Sequence, residues 1–409
     1  MQSNERSREA PGESLVPKNP ALGALRAALT RLVVAHHAAL AYISWAPPAP
    51  ASLLVEPRLW LAFPVVDAAK ARGLDLFTGW NDTWFMSLFF LVAGAVAWPS
   101  LVRKGAGSFF RDRVRRLGVP FFVAAGLLAP LAYYPAYLAA LRRTPEQAGG
   151  FIDQWLALGA WPAGPAWFLW VLLAFAGAAA LAFRGAPRWG TALGRLTARL
   201  APRPALYFLV LVATSAAAYQ PLAAYFRPET WLDFGPLWIQ VSRALLYAVY
   251  FAAGVGLGAC GLDQGLLDRQ GRLARRWPLW AAAAALAFSV AVAALLAILG
   301  SFEHGGPSAG MLATGNFAFV LCCAATSLAV LGLFVRHAPR PSRALESLTV
   351  NAFGIFLLHY AAVSWLQFAL LEVALPGIVK ALLVFGGAVT ASWAATAALR
   401  RVPALARLL

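Results

Sequence analysis

Charge is what this sequence lacks most. Asp, Glu, Lys and Arg make up 12% of its 409 residues, roughly half the density of a soluble domain, so most of the chain cannot face water. Acid is the scarcer sign, with 17 Asp and Glu against 34 Lys and Arg. Cysteine is almost missing. Cys260, Cys322 and Cys323 form no CxxC or metal-ligand spacing, which argues against a disulfide framework and a metal centre and leaves them as lipid-facing or packed small residues. Sustained alternation of period two is missing too, which speaks against spanning strands. No internal repeat is evident, and no polar stretch is long enough for a soluble domain.

What is present is apolar. Hydrophobic residues make up 61% of the chain and the mean hydropathy is +0.66. Runs of about 17–25 apolar residues, the length of a membrane-crossing helix, recur from end to end. We read ten: 25–45, 84–102, 117–140, 165–184, 204–220, 239–260, 277–299, 311–335, 349–371 and 376–399. Trp45, Trp84, Trp98 and Trp280 fall near run ends, where interfacial aromatic belts form. The expected fold is all-α, a polytopic membrane protein of about ten transmembrane helices. A disordered cytoplasmic tail is expected over 1–20, with Pro11, Pro17 and Pro20, then a membrane domain over 21–402 and a short tail over 403–409.

The basic residues orient the bundle. Counted on alternate connections, 25 Lys and Arg fall on the side of the amino terminus and 7 on the other, with Arg31 and Arg243 inside spans. This positive-inside asymmetry places both termini in the cytoplasm. It also accounts for the net charge of +17 as a topology signal with anionic-lipid contact rather than a nucleic-acid surface. A cleaved signal peptide over 25–51, with Ala49-Pro50-Ala51 mimicking its processing site, is disfavoured by the internal proline and by Arg31, His36 and His37 in the apolar run.

Ionisable residues inside spans are costly and mark function by default. Arg26 and His37 lie eleven positions apart in the first run. That is nearly a whole number of helical turns, so both project from one face, about 16 Å apart along the axis. On the span 25–45, the arginine sits at one membrane surface and the histidine near mid-membrane, where a neutral imidazole can act as general base towards a hydroxyl. An inter-helix hydrogen bond is the alternative for any one such histidine. His36 points about 100° away from that face; His359 lies at similar depth in the ninth run. Between the second and third runs stand Arg103, Lys104, Arg111, Arg113, Arg115 and Arg116, either a stop-transfer anchor or a phosphate site built on bidentate arginine contacts.

Five stretches, in order, resemble the integral-membrane acyltransferases of acyltransferase family 3, which O-acylate sugars and glycans, largely in bacteria. Arg26 through His37 resembles the family's Arg-x10-His signature. Phe85-Met86-Ser87-Leu88-Phe89-Phe90-Leu91-Val92-Ala93-Gly94 resembles its FFxxSG-type second helix, with Ala93 where serine is common. Phe110-Arg111-Asp112-Arg113-Val114-Arg115-Arg116-Leu117 through Pro120 resembles its arginine-rich loop. Gly164-Pro165-Ala166-Trp167-Phe168-Leu169-Trp170 is similar to its tryptophan segment, and Asn351-Ala352-Phe353-Gly354-Ile355-Phe356-Leu357-Leu358-His359 to its late YGIYLLH-type helix. The likeness covers roughly 22–400. It departs before Arg26, where Ala21-Leu22-Gly23-Ala24 replaces an often acidic stretch, and at Phe353 and Phe356, which replace tyrosines.

The resemblance implies a bacterial inner-membrane O-acyltransferase with acyl-CoA as co-substrate and no bound cofactor or metal. Arg111, Arg113, Arg115 and Arg116, with Arg26, would hold the donor. His37 would deprotonate the acceptor hydroxyl or briefly carry an acetyl or succinyl group. His359 would line the cavity, with a structural hydrogen bond as its other role, and Trp167 would form an outer wall or simply pack. The acceptor, a glycan or other hydroxyl compound, would enter from outside past the loop 46–83 with Trp60, Asp75, Trp80 and Asp82. A transporter or flippase is the competing class, disfavoured by the missing repeat and the lack of a membrane-embedded carboxylate, Glu372 lying at a span edge. Reporter fusions test the orientation: alkaline phosphatase is expected to be inactive after residue 409 and active after residue 305.

Overall fold

The computed structural model describes residues 19–144, 149–338 and 342–409; most of the expected tail, 1–18, lies outside them. Helix α1 is Pro20–Leu40, started by Asn19, whose carboxamide oxygen accepts from Ala21 N at 2.8 Å and Leu22 N at 3.3 Å. Proline at the first position of a helix gives up an N–H that has no partner there anyway. The crossing therefore begins about a turn before the run 25–45 and ends before it. Hydropathy marks where apolar residues are, not where the chain turns, and residues 41–45 already leave the helix.

Eight helical runs among the described residues are long and apolar enough to cross a membrane. The longest, Arg72–Arg143, comprises α2 (Arg72–Arg113), a π-helical turn Val114–Gly118, α3 (Val119–Val123), a second π-helical turn Ala124–Leu128, and α4 (Ala129–Arg143). Gly105 interrupts it at φ 72°, ψ 162°, a conformation open to glycine and closed to residues with a Cβ. The run is thus two rods joined at Gly105. With α1, which is diluted by two arginines and two histidines, the crossings number ten, as the apolar runs indicate.

The others are α6 (Trp167–Gly185), α8 (Pro204–Phe226), α9 (Val241–Cys260), α11 (Trp277–Ser301), α12 (Ala309–Arg336), α13 (Arg343–Ala369) and α14 (Gly377–Leu399). Short helices α5 (Phe151–Ala157), α7 (Trp189–Leu200), α10 (Arg272–Arg275) and α15 (Pro403–Ala406) occupy connections. Helix α7 was not foreseen. It is amphipathic, laying Gly190 on Trp98 and Gly194 on Ala259 with Arg195 and Arg199 exposed. Nor were the strands β1 (Trp231–Phe234) and β2 (Leu237–Gln240), an antiparallel hairpin in the outer connection before α9. Four residues each, turning at Gly235 (φ 58°), they are too short for alternation to show.

In hydrocarbon, helices associate through close packing rather than hydrophobic exclusion, and small residues permit the closest approach. The α2–α9 seam is of this kind. A Cβ on Gly94 would lie 2.1 Å from Phe251 O, on Gly254 2.0 Å from Leu91 O, and on Gly258 2.0 Å from Ala95 O. By contrast α11 packs on α12 and buries only Ala284 and Ala287; it is the lipid-facing margin. Gly258→Val is expected to cost at least about 2 kcal/mol, the scale of an overpacked core, read as a lowered midpoint of thermal unfolding in detergent. Gly300→Val, with open space around it, is expected to change little.

Candidate active site

Helices α1 and α13 pack together as neighbours that run in the same direction. His37 lies 17 residues beyond the start of α1 and His359 16 beyond the start of α13, so they are level. Their ring centroids are 5.3 Å apart. Tyr360 closes on His37 at 4.9 Å, and His36 meets His37 edge-on at 5.5 Å and lies against Phe85 at 5.3 Å. Arg26 and His37 share one face of α1. His37 is one turn from the end of its own helix, while α13 continues past His359 at the same level to Ala369.

The cluster is held by backbone contacts. His359 Nδ1 is 2.6 Å from Phe356 O; a carbonyl only accepts, so Nδ1 carries the proton and Nε2 keeps its lone pair. That Nε2 is buried without a partner, as are Nδ1 of His36 and Nδ1 of His37. Gln367, also buried, donates to His37 O at 2.9 Å and Ala38 O at 3.3 Å, serving carbonyls that a helix end leaves free. Gln367 had no signal in the sequence beyond being polar in an apolar run.

At the other end of α1, Arg26 sits in the second turn with Nε buried and unpartnered among the described residues. Arg111 and Arg113 end α2, and Arg115 and Arg116 lie on the π-helical turn that follows. Arg111 and Arg115 are exposed, and Arg113 rests over the Phe109 ring at 5.0 Å. None of the four touches the histidines. With Phe85 beside His36, the helix rise from there to the Gly105 break alone is about 30 Å.

Beyond the histidines, the segment 41–71 is a folded cap. Trp60 is buried and donates to Leu53 O at 3.0 Å, and Tyr133 donates to Leu61 O at 2.9 Å. Asp75 binds Ser44 N at 2.7 Å. Asp67 and Lys380, 3% and 2% exposed, pair at 2.6 Å and fasten the cap to α14. Trp80 and Asp82 lie within α2 itself rather than in a loop, and the half-exposed Asp82 accepts from both terminal guanidinium nitrogens of Arg243. Trp167, at the outer end of α6, stacks on Tyr247 at 5.7 Å and meets Trp231 at 5.9 Å. It reaches the histidines only through Phe168 and Phe356.

A family model described as an acyltransferase domain matches residues 19–397. No curated protein and no solved structure matches the chain.

The pair under the cap makes a sharp expectation. Lys380→Met strands a buried carboxylate, which costs about 3–5 kcal/mol. Pairing it with Asp67→Asn is expected to recover more than half of the lost thermal stability.

Proposed function

The chain belongs to the acyltransferase family whose model it matches, and we propose that it moves an acyl group, acetyl or succinyl, from cytoplasmic acyl-CoA to a hydroxyl of an extracytoplasmic glycan or similar acceptor, across a bacterial inner membrane. The observation that carries this is the buried histidine cluster, with imidazole nitrogens left without partners among the described residues, near one end of a helix whose other end presents the partly buried Arg26.

Arg111, Arg113, Arg115 and Arg116 hold the phosphates of the donor at the inner surface, where planar guanidinium groups bind phosphate bidentately. Arg26, one face below His37, draws the donor's thioester arm along α1. The arginines and the histidines stand far enough apart to require a long, thin substrate, which acyl-CoA is. His37 takes the proton from the acceptor hydroxyl as its oxygen attacks the thioester carbonyl. The tetrahedral intermediate collapses with cleavage of the carbon–sulfur bond, and the proton passes from His37 to the departing CoA thiolate. His359 and Tyr360 wall the reacting centre, and Trp167 belongs to its outer rim.

General-base catalysis contributes about 10²–10⁴-fold. In nanodiscs with acetyl-CoA or succinyl-CoA, and envelope extract as acceptor, His37→Ala is expected to lower CoA release by that factor while donor binding persists. If neither thioester yields CoA with the unaltered protein, the reading fails.

A further inference from the structure

Asn81 is 0% exposed, and neither its carboxamide oxygen nor its nitrogen has a partner among the described residues. An orphaned buried amide costs about 1–3 kcal/mol, so leucine would serve the fold better. It is not alone. Trp84, three residues on, buries an unpartnered Nε1, and His36 an unpartnered Nδ1. Asn81 and Phe85 lie one turn apart on one face of α2, and His36 rests against Phe85. Asn81 therefore sits about one turn outward of His36 and His37. Beside it, Asp82 is 51% exposed and faces outward, held by an Arg243 that is 11% exposed.

We propose that Asn81, Trp84 and His36 form the acceptor subsite of the acyl transfer, one that grips adjacent hydroxyls of a polyol such as a pyranose. The inference rests on the acyl-transfer reading given above. A carboxamide offers donors and an acceptor side by side, and a vicinal diol answers with one hydroxyl that accepts and one that donates. The indole N–H supplies a further donor, and the imidazole of His36 a further polar contact. The Trp80 and Trp84 rings, with centroids 5.2 Å apart, give the apolar flank that a sugar's C–H face needs. A substrate held one turn outside the histidines directs its next hydroxyl inward to His37. A monohydric alcohol satisfies half of the orphaned groups at best, and sites built to hydrogen-bond a hydroxyl discriminate strongly against substrates that lack it.

The test uses the full chain in nanodiscs, acetyl-CoA as donor, and D-glucose or ethanol as acceptor, for the unaltered protein, Asn81→Leu and Asn81→Asp. Glucose, and not ethanol, is expected to accelerate CoA release. Asn81→Leu is expected to raise KM for glucose at least tenfold with kcat within threefold, while raising the unfolding temperature because an unpaired amide is gone. Asn81→Asp, which keeps the acceptor oxygens, should fall between. An unchanged KM in Asn81→Leu overturns the subsite. So does a fall in unfolding temperature with KM and kcat altered together, the mark of a structural amide. Hydrolysis of acetyl-CoA that glucose does not accelerate overturns it as well. No CoA release at all from the unaltered protein overturns the acyl-transfer reading itself, and the subsite with it.

Discussion

A polar atom inside a bilayer has no water to fall back on, and this bundle is arranged around that constraint. Where buried polar groups are paired, the pairs hold architecture. Trp170 donates to Trp238 O and Trp238 to Trp161 O, tying the outer hairpin to α6 and the segment before it. Asp67 and Lys380 fasten the cap, and Gln367 serves the end of α1. Among the described residues, the unpaired groups of Arg26, His36, His37, Asn81, Trp84 and His359 lie on α1, α2 and α13, the helices that meet at the histidines. Others lie elsewhere, among them Tyr207, Ser215, Tyr250 and Ser327 on α8, α9 and α12, Tyr42 in the cap and Trp189 on α7.

Helix α2 shows how one segment serves several neighbours. Phe85 meets His36, Phe89 and Phe90 pack on Phe168, and Gly94 admits the backbone of α9. The residues that give Phe85–Gly94 its family likeness thus serve three neighbours, α1, α6 and α9. A glycine at position 94 is required by a carbonyl 2.1 Å from where a Cβ would stand, and no chemistry need be invoked for it.

The crossings and the common face of Arg26 and His37 were legible because hydropathy and helical period each act along a single segment. The bounds of α1 were not, since helix ends are set by local geometry: Asn19 and Pro20 start α1 a turn early, and the chain turns away after Leu40. Asp82 was read as loop because the apolar run begins at Trp84 while the helix begins at Arg72. The partners of Lys380, His359 and Gln367 were hidden for a simpler reason. They are chosen by which helices become neighbours, and no pattern within a segment records that.

The contact of Gln367 with the carbonyl of His37 joins residues 330 positions apart, and this has a consequence for how the protein is made. The first helix to leave the ribosome waits for the ninth and tenth before it has a partner for its last turn, and Asp67 waits for Lys380. A chain cut short after α12 would keep eight crossings and much of the α2–α9 seam, yet would lack the His359 and Tyr360 that stand beside His37. Catalytic competence would then report the completion of synthesis, and an interrupted chain left in the membrane would be inert rather than partly active.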